Sequence, residues 1–204
     1  MQFVKATLPF LLFACAGATQ AADPIDVRKL SDTSVTVVET TRAGSPGKSF
    51  VAGTIINAPV ETLCAMIQDY ASYPSFMPNT ESTVVAMKSR SQAVIDVTLK
   101  LPMGKIKKYR LRMDPEVTPE SCKVSWKQLP WRGLSAEETI ADTYGYWQFT
   151  PAPAAAGKTA TVVQYVVYTD PGPIPFGLGW IVDSLSKDSI PQTLEALRKK
   201  AVKK

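Results

Sequence analysis

The chain has 204 residues, and its 23 Lys and Arg against 18 Asp and Glu give a formal net charge of +5. It contains no histidine, which excludes Ser-His-Asp and Cys-His catalytic devices and histidine-ligated zinc sites. The common glycine-rich phosphate-binding patterns are also absent. A charge excess this mild is compatible with an anionic lipid surface, and we expect no nucleic-acid partner.

The N-terminal segment, residues 1–21, has the layout of a secretory signal peptide. Lys5 precedes an apolar run that extends to about Gly17, and small residues follow it. Thr19 and Ala21 suit the two small positions before a cleavage site, so the mature protein is expected to begin near Ala22. The sequence therefore predicts export, with the periplasm as the expected compartment.

Two alternatives for this segment stay open. It could remain uncut as an anchor, or Cys15 could carry a lipid, although Phe13 is bulky for that role. Beyond the segment, residues 22–204 are enough for one domain with its own core.

The predicted mature chain retains Cys64 and Cys122. In an oxidising compartment the two could pair, but we favour two separate, half-buried thiols. Without a short spacing they do not make a metal site, and the sequence indicates no metal, no cofactor and no catalytic residue.

The first elements are two strands and a helix. Residues 34–41 and 49–56 are rich in β-branched side chains, which favours strands. Residues 57–70 change to a helical period, with Pro59 in the first turn. Leu63, Met66 and Ile67 then share one face of this short helix.

The next segment, "DYASYPSFMP" at residues 69–78, is called the connector below. It is rich in aromatic residues, and Tyr73 and Met77 each precede a proline, which disfavours helical geometry. A hairpin turn would be built mainly from Gly, Asn and Asp instead. We therefore expect a stiff, apolar crossing, after which the strand pattern resumes at residues 82–87.

Three later stretches alternate apolar and charged residues: "VIDVTLKL", "YRLRMD" and "CKVSWKQ". One apolar and one charged face is typical of an antiparallel sheet that is wet on one side. We favour a solvated convex surface for the Lys- and Arg-rich face over a patch that binds lipid headgroups.

"YGYWQFTP" and "TATVVQYVVYTD" are the last strands, and a long helix is predicted from about residue 177 to residue 200. Pro191 should kink or interrupt that helix. The predicted order is two strands, a short helix, the connector, five more strands and the long helix, which indicates an α+β fold. A helix laid across a strongly curved sheet would leave a cavity between them.

Three segments, in this order along the chain, resemble parts of a known protein family. Residues 52–85 resemble the first helical part of START-like domains, the superfamily of StAR-related lipid-transfer and coenzyme Q-binding, polyketide cyclase-like proteins (SRPBCC). "GYWQFTP" at 145–151 is similar to the family's G-x-W strand. Residues 170–200 are similar to its final strand, its D-P-G turn and its C-terminal helix ending in P-x-T-L-x-x-L-R.

The resemblance implies a helix-grip fold, in which a curved antiparallel sheet wraps around a long C-terminal helix and encloses an apolar tunnel. In that family the tunnel holds a lipid, a sterol, a quinone or a similar hydrophobic molecule. We therefore expect a monomeric protein that binds or transfers such a ligand. The family has few universal catalytic residues, so the fold does not settle the activity.

The expected tunnel wall follows the strand alternation, and the alternative is that these side chains simply fill a core. From the sheet we take Val97, Leu99, Leu101, Tyr109, Leu111, Met113, Trp126, Trp147, Tyr165 and Val167. From the connector we take Tyr73, Phe76 and Met77 as an end wall, and from the long helix Trp180, Ile181, Ser184, Leu185 and Asp188.

Two segments are candidate gates. In residues 130–142, Trp131 and Leu134 could form a lip over the opening, although we favour an ordinary surface hairpin. Residues 172–180 combine glycines with large apolar side chains, and could touch a membrane transiently during loading.

The enzymatic alternative is a cyclase- or dehydratase-like protein that uses the same tunnel. Its candidate acids are Asp69, Glu81, Asp96, Asp183 and Asp188. No two of them are placed convincingly for paired acid–base chemistry. We expect Asp69 to cap the turn that follows it. A third role, in which some family members act on ribosomes, conflicts with the predicted export.

Overall fold

The computed structural model describes residues 24–153, 159–173 and 187–202. The strands are β1 Thr36–Glu39, β2 Lys48–Ile56, β3 Thr80–Lys88, β4 Ala93–Lys100, β5 Ile106–Val117, β6 Cys122–Leu129, β7 Asp142–Pro151 and β8 Thr161–Asp170. The helices are α1 Val60–Gln68 and α2 Ser189–Val202, and short 3₁₀ helices span Val27–Lys29, Tyr70–Ser75 and Pro102–Gly104. The predicted signal segment lies outside the described residues.

All eight strands form one curved antiparallel sheet in the order β1-β2-β8-β7-β6-β5-β4-β3. The α+β class and the predicted helix-grip arrangement are confirmed. The predicted count of five strands after the connector was wrong: six described strands follow it, one for each of the strand-like segments in the sequence. Among the described helices, none has the length and apolarity that a membrane span requires.

Strand alternation sorts the side chains onto two faces, as the sequence predicts. One row of the concave face crosses five strands through backbone partners: Met113 lies opposite Trp126, which lies opposite Gly145, then Val167 and Phe50. On the convex face, the predicted charged positions form ion pairs. The Arg110 guanidinium donates to both carboxylate oxygens of Asp96 on the neighbouring strand, at 2.6 and 2.8 Å.

Helix α1 closes one end of the concave face. Pro59 immediately precedes its first residue, and Leu63, Met66 and Ile67 are all buried, as predicted. Their face packs against β6 and β7. The helix therefore contributes its apolar stripe to the core beneath the sheet.

A disulfide bond ties α1 to the sheet. Cys64 of α1 is bonded to Cys122 of β6, with their Cα atoms 6.0 Å apart. The expectation of two separate thiols was wrong. The two residues are 58 positions apart in the sequence, and the packing of α1 across the start of β6 is what brings them together.

The connector contains a 3₁₀ helix over Tyr70–Ser75, so the prediction that Pro74 disfavours helical geometry at Tyr73 was wrong. Pro74 removes one N–H donor from this short element, but neighbouring bonds still form. The Ser72 N–H donates to the Asp69 carbonyl at 3.1 Å, and the Phe76 N–H donates to the Tyr73 carbonyl at 3.1 Å. The connector is nonetheless not a hairpin, as expected.

Helix α2 packs against β1, β2 and α1 through Ile190, Leu194 and Leu197, which are all buried. It continues through Pro191, and the two residues at 187–188 that precede it have π-helical hydrogen bonding. Pro191 is the third residue of α2, and a proline is tolerated in the first turn because the N–H groups there have no intrahelical partner, so the expected interruption does not fall within α2. Residues 177–186 of the predicted long helix lie outside the described residues.

Polar contacts fix the position of α2 on the sheet. The Arg198 guanidinium donates to the hydroxyl of Thr54, which is fully buried on β2, and pairs with Glu195 one turn earlier. The Lys200 ammonium donates to the Ser72 hydroxyl at 2.7 Å. These contacts therefore join α2 to strand β2 and to the connector.

The disulfide bond gives the first testable prediction. A Cys64→Ala/Cys122→Ala variant should lose about 2–5 kcal/mol of unfolding free energy, because the bond closes a long loop and restricts the unfolded chain. Urea denaturation followed by circular dichroism measures the change. A reducing agent should lower the urea midpoint of the wild type by a similar amount and leave that of the variant unchanged. A wild-type midpoint that does not change on reduction would contradict the presence of the bond.

Candidate ligand-binding cavity

A cavity of about 240 Å³ lies between the concave face of the sheet, the connector and the start of α2. Its wall is mainly apolar, and its residues come from strands β2 to β8, from the connector and from α2. Binding sites for small molecules are typically concave and apolar in this way, with a few polar groups that orient the ligand.

Twelve of the expected wall residues line this cavity: Tyr73, Met77, Val97, Leu99, Leu101, Tyr109, Leu111, Met113, Trp126, Trp147, Tyr165 and Val167. Four others, Trp180, Ile181, Ser184 and Leu185, lie outside the described residues. Alternation along β4 and β5 therefore predicted one side of the wall residue by residue.

Phe76 and Asp188 do not contribute to the wall. The Phe76 ring packs edge-on against Tyr73, with centroids 5.8 Å apart, and the Lys200 ammonium lies 4.0 Å from its centroid. The expectation that Phe76 forms the end wall was wrong, because the 3₁₀ turn directs it toward α2. Asp188 is exposed at the π-helical turn before α2.

Three large rings form one side of the cavity. Tyr165 of β8 stacks on Trp126 at a centroid distance of 5.5 Å and lies 4.3 Å from Trp147. The indole N–H of Trp126 is directed at the Thr143 hydroxyl at 3.5 Å. Large aromatic faces of this kind suit a flat or chain-like apolar ligand.

The place of Trp126 depends on a glycine. A Cβ atom at Gly145 would lie 2.1 Å from the Val166 carbonyl oxygen and 2.6 Å from Trp126 Cζ2. Gly145 is the backbone partner of Trp126 on the adjacent strand. The absence of a side chain there lets the indole lie across the strand, so the glycine of "GYWQFTP" shapes the cavity wall.

Sequence reasoning missed several wall residues, among them Phe50 and Ile140. Phe50 belongs to a continuous apolar run in which Val51 is also buried, in a separate cluster with Ile25 and Leu30. A strand buried on both sides gives no alternation to read. Its backbone pairing with Val167 could have placed Phe50 in the wall, but pairing was unknown from the sequence.

One region of the wall is polar. It includes Lys48, Lys107, Thr143 and Thr169. The Lys107 ammonium donates to the carbonyl oxygens of Ala136 at 3.4 Å, Thr139 at 2.6 Å and Pro171 at 3.3 Å. Burial lowers the pKa of Lys107, while the nearby Glu137 charge opposes that shift.

Lys107 thereby ties the loop at residues 130–141 to the segment after β8. The loop joins the antiparallel pair β6 and β7, which agrees with the favoured surface hairpin. Its Ile140 side chain lines the cavity, whereas Trp131 and Leu134 do not. Trp131 instead stacks beneath the Arg110 guanidinium, 5.0 Å from the ring centroid. Period-two alternation from Tyr109 back to residue 107 was the signal that could have placed Lys107 inside.

Three tyrosines line the cavity, and burial raises the pKa of Tyr73, Tyr109 and Tyr165 well above the ordinary value. All three phenols are therefore neutral near pH 7. The Tyr73 hydroxyl donates to the Ile67 carbonyl at 2.6 Å. This bond holds the connector against the end of α1.

No described carboxylate lines the cavity. Asp96 pairs with Arg110 on the convex face, and Glu81 is exposed. Asp69 does not cap the connector with its side chain, contrary to expectation; its backbone carbonyl accepts the bonds from Ser72 instead. Asp183 lies outside the described residues.

Residues 56–198 match the family model described as polyketide cyclase / dehydrase and lipid transport. This match covers more than half of the chain, so the protein belongs to that family. The START-like resemblance expected from the sequence is confirmed.

Solved structures of similar fold come from both branches of that description. A STAR-related lipid transfer protein from Xanthomonas axonopodis has a TM-score of 0.68 and 18% identity, covering 83% of this chain and 94% of its own. Human STARD10 has a TM-score of 0.66 and 15% identity, covering 83% and 70%. The Zhui aromatase/cyclase from Streptomyces sp. R1128 has a TM-score of 0.54 and 14% identity, covering 82% and 94%.

No curated protein matches the sequence significantly. At identities this low, the structural likeness establishes the shared fold alone.

The glycine beneath Trp126 gives the second prediction. Gly145→Ala should destabilise the fold by about 1–3 kcal/mol, because the new methyl group overlaps both a backbone carbonyl and the indole. Urea denaturation measures the loss, and near-ultraviolet circular dichroism reports the displaced tryptophan.

Gly53→Ala on β2 is the matched control. There the added Cβ would meet side-chain methyls that can move, those of Leu30 at 3.0 and 3.1 Å and that of Ile25 at 3.5 Å. The control should lose less stability and keep its near-ultraviolet spectrum. Equal effects of the two substitutions would show that the close approach of Trp126 has no special role.

Proposed function

We propose that the protein binds a hydrophobic, lipid-like small molecule in the cavity and carries it. The observation that supports this best is the apolar cavity itself, walled by Trp126, Trp147 and Tyr165. The family description and the names of the STAR-related neighbours agree with such a role.

Apolar burial supplies the affinity in this proposal. A ligand that buries about 300 Å² of apolar surface gains roughly 7 kcal/mol at about 25 cal/mol per Å², before the cost of association is subtracted. A site of this kind therefore needs no ion pair to bind at useful concentrations. The proposed carrier acts as a monomer and contacts a membrane surface only transiently, through residues 172–180, of which 174–180 lie outside the described residues.

We prefer binding to catalysis for a physical reason. A cyclase- or dehydratase-like reaction needs an acid or base within reach of the substrate. The part of the cavity wall that the structure describes offers tyrosines with raised pKa values and two lysines, but no carboxylate. Neutral phenols of this kind serve better as hydrogen-bond donors than as bases.

Filling the cavity tests the proposed binding. Val97→Phe should reduce uptake of N-phenyl-1-naphthylamine at least about tenfold, because the larger side chain occupies space that the apolar probe needs. Probe fluorescence, which rises in apolar surroundings, measures binding. Thr98→Phe, at the next position on the convex face, is the matched control and should bind normally. Uptake that is equal in all three proteins would exclude the cavity as the site.

We further propose that the protein is exported to the periplasm. Two features support this: the signal-like pattern of residues 1–21, and the bond between Cys64 and Cys122, since disulfide bonds persist in oxidising compartments. The disulfide bond is independent of the N-terminal pattern, so the two arguments do not share an assumption.

Cell fractionation and N-terminal sequencing of the native protein test export. We expect a periplasmic protein that begins near Ala22 and whose two remaining cysteines resist alkylation until a reductant is added. A full-length protein with free thiols in the cytoplasmic fraction would overturn the proposal, and would favour the cytoplasmic roles known in the wider family.

A further inference from the structure

Three tyrosines line the cavity, but their hydroxyls are not equivalent. The Tyr73 hydroxyl is already bonded to the Ile67 carbonyl. Among the described residues, the hydroxyls of Tyr109 and Tyr165 have no hydrogen-bond partner. Both side chains belong to the concave face, on β5 and β8.

These two oxygen atoms remain reachable. The described side-chain atoms that are both sealed from water and unpaired are Thr83 Oγ1, Gln128 Oε1 and Arg198 Nε, and neither tyrosine oxygen is among them. Tyr109 and Tyr165 are flanked by apolar wall residues, so the cavity is where a partner can meet their hydroxyls. We expect water to be that partner in the protein without ligand.

The energetic consequence depends on the ligand. A pure hydrocarbon that displaces this water leaves each hydroxyl unpaired, at a cost of about 1–3 kcal/mol per group. A ligand with a suitably placed oxygen replaces the lost bond. The cavity therefore discriminates against hydrocarbons even though most of its wall is apolar.

We propose that Tyr109 and Tyr165 determine ligand specificity by donating hydrogen bonds to an acceptor oxygen, such as a carbonyl, within the apolar body of the ligand. This inference rests on the proposed binding function. Burial raises the pKa of both phenols, and the proximity of Tyr109 raises that of Tyr165 further, so both keep their protons and act as donors at any physiological pH.

A pair of matched probes tests the inference. Fluorene and 9-fluorenone have nearly the same shape, but only fluorenone carries a carbonyl oxygen. Their affinities are measured by displacement of N-phenyl-1-naphthylamine from the wild-type protein and from Tyr109→Phe, Tyr165→Phe and Tyr73→Phe variants. Tyr73→Phe is the control, since it removes a hydroxyl that is already satisfied.

We expect Tyr109→Phe and Tyr165→Phe each to weaken fluorenone binding by about two- to tenfold, the worth of one net hydrogen bond. Fluorene should bind these variants as well as or better than the wild type, because an unpaired hydroxyl has been removed. Tyr73→Phe should leave the preference between the two probes unchanged. In the wild type, the infrared carbonyl stretch of bound fluorenone should shift to lower frequency, which needs no variant to fold.

Different results would overturn the specificity role of the tyrosines and the proposed binding function. Variants that bind both probes like the wild type, or that weaken both equally, overturn the specificity role and leave the proposed function standing. A carbonyl stretch unchanged from that in an alkane also overturns it. If neither probe nor N-phenyl-1-naphthylamine binds the wild type, the proposed function itself fails.

Discussion

The concave face of the sheet is wider than the two described helices that cover it, and this mismatch is the constraint on which the rest of the structure depends. Eight strands spaced about 4.8 Å apart make a sheet roughly 34 Å wide, whereas a helix with its side chains is about 10–12 Å across. Helix α2 covers β1 and β2, and α1 covers the ends of β6 and β7. Among the described residues, no helix packs on the apolar surface between them, and the cavity lies there.

Three linkages keep that gap from collapsing. The bond between Cys64 and Cys122 holds α1 at one end of the sheet, and Arg198 holds α2 on Thr54 of β2, the strand next to the edge strand β1. Lys107 ties the loop at residues 130–141 to the segment after β8. Each linkage joins elements that are distant in sequence. The separation between the helices and the sheet is therefore set by these three contacts as well as by the volume of the side chains in the cavity wall.

The sequence predicted the parts of this arrangement that depend on local periodicity, and missed the parts that depend on distant contacts. Alternation placed Leu99 and Tyr109 in the wall, because a strand with one solvent-exposed face alternates apolar and polar residues and so shows which side chains point inward. It could not place Phe50, whose strand is buried on both sides, or pair Cys64 with Cys122 before the packing of α1 was known. The connector was misjudged because a proline rule for regular helices was applied to a single short 3₁₀ element.

The central claim is that the cavity holds a hydrophobic ligand that carries an acceptor oxygen, and native mass spectrometry of the protein purified from its own cells without detergent tests it most directly. The account predicts a bound species that is extracted by organic solvent and whose accurate mass and fragments show a mainly hydrocarbon molecule with at least one carbonyl or comparable oxygen. A protein that is isolated empty, and that stays empty after incubation with a total lipid extract of the same cells, would contradict it.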